Sequence, residues 1–310
     1  IEGEGEVQIE GEGEVQIEGE GEAPAEGEGE FPVEGEPTEG EYAYVFSSPG
    51  ALNSNALVDL GADKEIALAT DEAGRWMCVW ASNESLNDTI GTDYDILFAL
   101  SDDEGNTWTA PAPVSPYAST ESMPDHGPQV TTDGFGTWVV VWYSSGGIDG
   151  IGTDRDVLAA TSVDGGGTWS SPVSVNADAS SDTGLDDYPS LSTDRNGNWV
   201  CAWVKSTGGA YYVKTARSVD TGFHWSTPVI LADNTATLDG YLGDPRIVVN
   251  ESGNGLVVWH TSSSYTNSVH SIDRAYSSDA GVTWTVGGAI DIGTQADIYY
   301  PRTACDAQGA

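Results

Sequence analysis

The sequence has little positive charge, since ten Lys and Arg residues stand against fifty Asp and Glu, giving a formal net charge of −40. Nucleic-acid binding depends on a basic surface that follows the phosphates, and anionic membrane surfaces select for the same charge. No apolar run approaches the roughly 18 residues that span a bilayer. The composition therefore argues against nucleic acid as a partner and against membrane insertion.

Cysteine is also scarce, with only Cys78, Cys201 and Cys305. Cys78 and Cys201 stand in the similar pentapeptides Trp-Met-Cys-Val-Trp and Trp-Val-Cys-Ala-Trp, which favours small buried residues over a disulfide. Cysteine usage thus leaves the compartment undecided. No signal peptide is visible, but the chain does not begin with Met and stops inside a repeat. We therefore expect a fragment of a longer product, in which a missing signal carries no information.

Residues 1–41 form an acidic leader with sixteen Glu and no Lys or Arg, and they open with two copies of Ile-Glu-Gly-Glu-Gly-Glu-Val-Gln. Such a segment buries too little apolar surface to offset its ordering entropy, so we predict a disordered, extended spacer. A calcium-binding or partner-binding tail is the alternative, although Glu-Gly alternation offers no preformed cage. Residues 42–310 are predicted to form one domain.

Four segments of that domain share a Ser-x-Asp-x-Gly pattern followed three residues later by Trp, and they begin 61, 56 and 59 residues apart. The shared residues are Ser101, Asp103, Gly105 and Trp108; Ser162, Asp164, Gly166 and Trp169; Ser218, Asp220, Gly222 and Trp225; and Ser277, Asp279, Gly281 and Trp284. The pattern resembles the Asp-box, or bacterial neuraminidase repeat, of the sialidase superfamily. The resemblance implies an all-β propeller whose boxes join the third and fourth strands of each blade, away from the active site.

The chemistry of the motif is structural. The Asp carboxylate can accept from backbone N–H groups of a turn, Gly can take a positive φ, and Trp is expected to begin the next strand. A second signature, Asp-x-x-Gly before a Trp-rich apolar run, recurs at Asp71, Asp133 and Asp194 and in a worn form at Asn250. It predicts a tight turn between strands one and two. Four short strands per repeat indicate a propeller blade.

The spacing also predicts partial blades at both ends. Counting 25 residues back from Asp71 makes residues 44–53 an orphan fourth strand, and residues 300–306 match the first strand of a fifth blade. We therefore expect four whole and two partial blades, with ring closure removing free sheet edges. The family most often has six blades, and that total is implied by the resemblance alone.

Function is expected on the face opposite the Asp-boxes, where the loops between strands two and three vary in length. Sialidase chemistry needs three arginines around a carboxylate and a Tyr–Glu nucleophile pair. The chain departs from that pattern, since it lacks the Arg-Ile-Pro-like motif and has no Arg before Arg75. Arg75 and Arg195 fall in turns on the Asp-box face. The candidate ligand-binding residues are Arg155, Arg246, Arg302, Tyr188, Tyr241, Tyr299 and Tyr300.

Acidic residues in the same loops are candidate cation ligands, because hard oxygen donors suit calcium. They are Asp93, Asp95, Asp154, Asp156, Asp182, Asp186 and Asp187. Their spacing matches no defined calcium loop, so we favour solvated acidic loops and predict neither metal nor cofactor. His126 beside Asp125 is a candidate general base, and an incidental loop histidine is the favoured interpretation.

Three functions remain open. The first is a non-catalytic propeller of a secreted or cell-surface protein that binds carbohydrate or an extracellular protein, as a monomeric domain within a larger chain. The second is an exo-α-sialidase, which rests on resemblance of fold. The third is a purely structural repeat domain. The missing arginine motif and the net negative charge favour the first over the second.

Overall fold

The computed structural model describes residues 7–10, 14–17, 50–58, 60–146, 148, 151–181, 183–235, 240–262, 270–290 and 301–304. Two units are distinguished, residues 1–49 and 50–310. In the first unit, β1 (Val7–Glu10) pairs antiparallel with β2 (Glu14–Ile17). This hairpin differs from the spacer without regular structure that the sequence predicts. Val and Ile at every second position give each short segment the alternation typical of a strand.

The second unit contains four antiparallel sheets of four strands, which confirms the predicted blades. Blade 1 is β3 (Asp63–Thr70), β4 (Trp76–Ser82), β5 (Asp95–Ser101) and β6 (Ala112–Pro113). Blade 2 is β7 (Asp125–Thr132), β8 (Trp138–Ser144), β9 (Asp156–Ser162) and β10 (Val173–Ser174). Blade 3 is β11 (Leu185–Thr193), β12 (Trp199–Thr207), β13 (Ala210–Ser218) and β14 (Val229–Asp233). Blade 4 is β15 (Tyr241–Val249), β16 (Gly255–Ser262), β17 (His270–Ser277) and β18 (Thr285–Ile290).

The fourth strands begin later than predicted. Only β18 follows its Asp-box Trp directly, whereas β6, β10 and β14 start four residues after theirs. In these three blades the residue after the Trp bonds to strand three through its side chain. The hydroxyl oxygens of Thr109, Ser170 and Ser226 accept from the backbone N–H groups of Leu100, Thr161 and Arg217 at 3.0, 3.0 and 3.1 Å, in the place of a backbone carbonyl.

The cores lie between successive blades, and the second strands supply both sides of them. In β8, Trp138 and Trp142 pack towards blade 1, while Val139 and Val141 pack towards blade 3. β12 repeats the arrangement, because Trp199, Cys201 and Trp203 face blade 2 and Val200 faces blade 4. The predicted burial of Cys78 and Cys201 is confirmed, and both thiols are free. The first strands of successive blades contact one another and form the innermost layer.

Each Asp-box is a hydrogen-bonded turn, as predicted. In the fourth box, Ser277 Oγ donates to Asp279 Oδ1 at 2.7 Å, and Thr283 donates to the same carboxylate from its N–H at 2.8 Å and from Oγ1 at 2.6 Å. These bonds, the Thr283 hydroxyl first, lower the pKa of Asp279 to about 2. Gly281 has a φ of 82° and its N–H donates to Ser277 Oγ at 3.0 Å. Both oxygens of the Asp279 carboxylate therefore accept hydrogen bonds from within their own turn.

The box carboxylates should make the fold sensitive to acid. A depressed pKa contributes stability that is present above the unfolded value of about 3.9 and lost as the pH falls through about 2. We expect Asp279→Asn to be less stable than the parent protein at pH 6, with the difference shrinking between pH 4 and pH 2. Urea unfolding of both proteins across that range measures it. A difference that stays constant to pH 2 would contradict the assignment.

The predicted partial blades are not seen as strands in the described residues. Residues 50–53, the described part of the predicted strand 44–53, form no strand, although Leu52 packs against the buried Cys78 and Trp80. Residues 301–304 also form no strand. They nevertheless lie beside β15, because Thr303 Oγ1 donates to Ile247 O at 3.3 Å. The rest of both segments lies outside the described residues.

Candidate functional site

The four innermost strands share a defect at the same place. The pairing of first with second strand shifts between Lys64 and Ala67, and the three other blades repeat this bulge at His126/Gln129, Asp187/Ser190 and Gly243/Arg246. One residue of each bulge has a positive φ, namely Glu65 (58°), Gly127 (62°), Tyr188 (56°) and Asp244 (51°). The bulges lie at the starts of the inner strands, opposite the Asp-box turns. We call this surface the bulge face.

In three of the four bulges, the residue with the positive φ is not glycine. A left-handed backbone costs a residue with a Cβ about 1 kcal/mol. This strained conformation occurs in three separate blades, at Glu65, Tyr188 and Asp244. Bulges of this kind redirect a side chain, and they are frequent beside functional sites. The bulge face is therefore the candidate site.

A row of rings crosses the bulge face from blade 1 to blade 3. The ring of His126 lies 5.1 Å from Tyr94 and 5.6 Å from Tyr143, and Tyr143 lies 6.1 Å from Tyr188. Gly127 makes room for the row, because a Cβ on it would lie 2.8 Å from the Tyr143 ring. Tyr188 is 44% exposed and closes the row on the solvent side.

Charged groups flank the row. Arg155 Nη1 lies 3.2 Å from both carboxylate oxygens of Asp187, and its guanidinium lies 5.5 Å from the centre of the Tyr143 ring. Burial raises the pKa of Asp187, and the charge of Arg155 partly offsets the effect. Glu65 Oε2 accepts from Gly127 N–H at 2.8 Å and lies 3.3 Å from His126 Nδ1.

His126 is held towards its neutral form, because burial lowers its pKa more than the Glu65 carboxylate raises it. Its ionic neighbour is thus Glu65 of blade 1, whereas Asp125, beside it in sequence, is buried. The ring is part of the aromatic row, which differs from the incidental loop position that the sequence analysis favoured.

A second group lies at blade 4. Arg246 and Arg302 occupy corresponding positions, and the guanidinium of each donates to the carbonyl of the preceding proline, at 3.0 and 3.1 Å. Burial, followed by the positive charge of Arg302, lowers the pKa of Arg246. Burial raises the pKa of Asp244, and the positive charges of Arg246 and Arg302 partly offset this increase. The two guanidinium groups and the Asp244 carboxylate therefore act on one another.

Tyr241 stands beside this group, with its ring 5.0 Å from Tyr211 and 5.9 Å from His260. Burial, followed by the Asp244 charge, raises its pKa. A Cβ on Gly243 would lie 2.0 Å from the Tyr241 ring, so only glycine leaves room for the ring in this position. Tyr299 and Tyr300 lie outside the described residues.

The predicted candidates thus divide into two groups, Arg155 with Tyr188 and Arg246 with Arg302 and Tyr241. Sequence reasoning missed Glu65, Tyr143 and Asp244. One signal was available for the bulges, because Gly127, Tyr188 and Asp244 each precede a proline, as Tyr300 does. Arg75 and Arg195 lie on the Asp-box face as expected, since Arg75 Nη1 donates to Gly165 O at 2.9 Å and Arg195 Nη2 lies 2.6 Å from Glu72 Oε1.

The prediction of solvated acidic loops is wrong for Asp95, Asp156, Asp186 and Asp187, which are buried, whereas Asp93 and Asp154 are half-buried. Asp95 is 1% exposed, and Asp156 and Asp186 are fully buried. Burial, followed by the charges of Asp93 and Glu121, raises the pKa of Asp95 to about 8, and burial raises the pKa of Asp186 to about 7. These residues begin the strands that the next blade covers, which sequence spacing alone does not reveal. Asp93, Asp95 and Glu121 form a possible metal-binding group. Asp182 lies outside the described residues.

Comparison with known proteins supports the fold. No family model matches, and no curated protein matches the sequence. A Hadza microbial sialidase is 18% identical with a TM-score of 0.52, over 73% of this chain and 46% of that one. An α-L-arabinanase of Penicillium chrysogenum is 16% identical with a TM-score of 0.52, over 72% of this chain and 66% of that one. A GH93 α-L-arabinofuranosidase of Fusarium graminearum is 14% identical with a TM-score of 0.52, over 74% of this chain and 66% of that one.

The fold is that of a β-propeller with four-stranded blades, similar to the folds of these three enzymes. The chain spans less than half the length of the sialidase. In the part of the chain that the structure describes, no helix is long and apolar enough to cross a membrane.

Proposed function

We propose that the bulge face binds carbohydrate, and that the propeller is a glycan-binding domain of a secreted or cell-surface protein. The observation that carries the proposal is the row of His126, Tyr143 and Tyr188 between Glu65 and the Arg155–Asp187 pair. Aromatic faces offer a flat apolar surface to the C–H groups of a sugar, and carboxylates and guanidinium groups orient its hydroxyls. The arabinobiose complexes of two fold relatives are compatible with such a use of the fold.

The bound sugar is proposed to be acidic. Arg246 and Arg302 place two guanidinium groups near one carboxylate at the edge of the face. A guanidinium fork matches a sugar carboxylate, and a pair of forks forms two thirds of the arginine set that a sialidase uses. Arg155, the third candidate, is instead held by Asp187.

Hydrolysis of sialosides is the second candidate, and one observation disfavours it. A tyrosine acts as a nucleophile more readily when the pKa of its hydroxyl is lowered. Burial instead raises the pKa of both Tyr143 and Tyr241. Hydrolysis by carboxyl groups keeps one supporting feature, because burial holds Asp187 towards the protonated form that a general acid needs. A purely structural role leaves the three strained bulges without a reason.

Calorimetric titration of the full chain with 3′-sialyllactose, and with lactose as the neutral control, tests the proposal. We expect the sialylated sugar to bind more tightly. Tyr188→Ala should weaken both sugars about tenfold through lost ring contact. Arg246→Ala should weaken the sialylated sugar by about tenfold or more and leave lactose unchanged, since a hydrogen bond to a charged group contributes about 1.5–3 kcal/mol.

The control variants are Tyr276→Ala and Arg75→Ala. Tyr276 is 52% exposed and directly precedes the fourth Asp-box, and Arg75 lies on the Asp-box face. Both should bind as the parent protein does. Equal losses in the controls, or no binding of either sugar by folded protein, would contradict the proposal. Turnover of a fluorogenic sialoside that Asp187→Asn abolishes would establish the hydrolase instead.

A further inference from the structure

A group of carboxylates lies between blades 1 and 2, next to the first two rings of the aromatic row, with Asp95 buried and Asp93 and Glu121 half-buried. Asp93 precedes β5, Asp95 begins it, and Glu121 lies in the connection from β6 to β7. One carboxylate oxygen from each of these three residues lies within 4.8 Å of the others. The backbone holds the group together, because Gly91 N–H donates to Ala118 O at 2.9 Å and Asp125 N–H donates to Tyr94 O at 2.7 Å.

Several oxygens of this group lack a hydrogen-bond donor, although Glu121 Oε2 accepts from Met123 N–H at 2.8 Å. Asp95 is 1% exposed, and neither of its carboxylate oxygens has a partner. Asp93, Glu121 and Asp125 each have one buried carboxylate oxygen without a hydrogen-bond partner, and Asp125 is 1% exposed. Buried carboxylates are costly unless they are paired or bind a metal. Among the described residues, no basic side chain lies within ion-pair distance of the four.

The next blade boundary shows how the same structure is completed with a positive charge. Sixty-one residues further along the chain, Asp154, Asp156 and Asp186 correspond to Asp93, Asp95 and Asp125. There, Lys205 Nζ lies 2.6 Å from Asp178 Oδ2 and 3.6 Å from Asp186 Oδ2, and Lys205 is 6% exposed. The position that corresponds to Lys205 in blade 2 is Ser144, which is neutral. The first group thus has the carboxylates of the second without its cation.

We propose that Asp93, Asp95 and Glu121 bind a calcium ion, with Asp125 beside it, at the boundary between blades 1 and 2. All donors are oxygens, which calcium prefers. Oxygens on opposite sides of a calcium ion lie about 4.8 Å apart, because each bond is about 2.4 Å, whereas magnesium requires about 4.1 Å and strict octahedral geometry. Three oxygens that lie within 4.8 Å of one another can share one calcium ion, and ligands that come from two separate segments suit its irregular coordination better than the strict octahedron of magnesium.

The ion would secure part of the bulge face. Asp125 directly precedes His126 and Gly127 of the blade 2 bulge, and Tyr94 lies between the two ligands Asp93 and Asp95. The Tyr94 ring contacts His126 at 5.1 Å. Calcium would therefore fix the first two rings of the aromatic row by joining the loop of one blade to the inner strand of the next.

Calorimetry and thermal unfolding of chelator-treated full-length protein test the proposal. We expect one calcium site of higher affinity than any in the leader, and a rise in Tm that magnesium at the same concentration does not reproduce. Asp95→Asn should lose that site and the rise in Tm. In chelator, Asp95→Asn should unfold at a higher temperature than the parent protein, because one buried negative charge is removed.

The second blade boundary provides matched variants. Asp154→Asn changes the corresponding acidic residue beside the lysine-filled group and should keep the full response to calcium. Ser144→Lys introduces the charge that Lys205 provides and should remove the response while raising the Tm in chelator. No calcium site in the parent protein, equal stabilisation by magnesium, or a normal response of Asp95→Asn would each overturn the proposal.

Discussion

Replacing Gly281 with alanine is expected to destabilise the propeller by about 2–4 kcal/mol. A Cβ on Gly281 would lie 3.0 and 3.1 Å from the two methyl groups of Val200, which is fully buried in the second strand of the preceding blade. A β-branched side chain cannot turn away, so overpacking contributes about 1–3 kcal/mol. The positive φ of 82° contributes about 1 kcal/mol more.

Gly105 is the matched control for this substitution. It occupies the same Asp-box position with a φ of 88°, and its N–H donates to the equivalent serine at 2.8 Å. The nearest atom to a Cβ on Gly105 is 3.9 Å away, within its own box. Gly105→Ala should therefore cost about 1 kcal/mol, the backbone contribution alone. Equal costs in urea unfolding would show that the box glycine does not join neighbouring blades.

Replacing Lys205 with methionine is expected to cost about 2–3 kcal/mol at pH 8. The change leaves Asp186, whose side chain is fully buried, without its nearest cation, and broken buried ion pairs cost about 3–5 kcal/mol. The lower figure allows for Asp178, which is 38% exposed and keeps Lys214 at 3.5 Å. Methionine retains the apolar stem that packs between the blades.

The effect of Lys205→Met should depend on pH. Burial raises the pKa of Asp186 to about 7, so the stability gained from its protonated form is complete below about pH 4 and is lost as the pH rises through 7. Without Lys205 that pKa rises further, and the cost should shrink from pH 8 to pH 5. Lys214→Met, which contacts only Asp178 in this group, should cost less and vary less with pH. An equal cost at pH 5 and pH 8 would contradict the assignment.

The blades could be predicted from the sequence because the residues that define each turn and strand lie close together in the chain. Asp279 and Thr283 form their turn within five residues, and the alternation of Trp138, Val139 and Trp142 identifies a strand buried on both sides. The bulge face was harder to predict, because Glu65 and His126 meet across two blades, 61 residues apart.

The buried acidic loops show the same limit. Asp93-x-Asp95 and Asp154-x-Asp156 are nearly identical in sequence, and their difference depends on Ser144 and Lys205 in the following blade. Only the packing of blade against blade brings those residues together. The difference between Ser144 and Lys205 is visible in the sequence, but the contact of Lys205 with Asp186 is seen only in the structure.

We propose that the ligand binds at the bulge face rather than at the Asp-box face. Amide hydrogen exchange with and without saturating 3′-sialyllactose tests it most directly. We expect slower exchange at the starts of β7, β11 and β15, around His126, Tyr188 and Asp244, and no change in the four Asp-box turns. Protection confined to the Asp-box turns, or no protection at any bulge, would contradict the account.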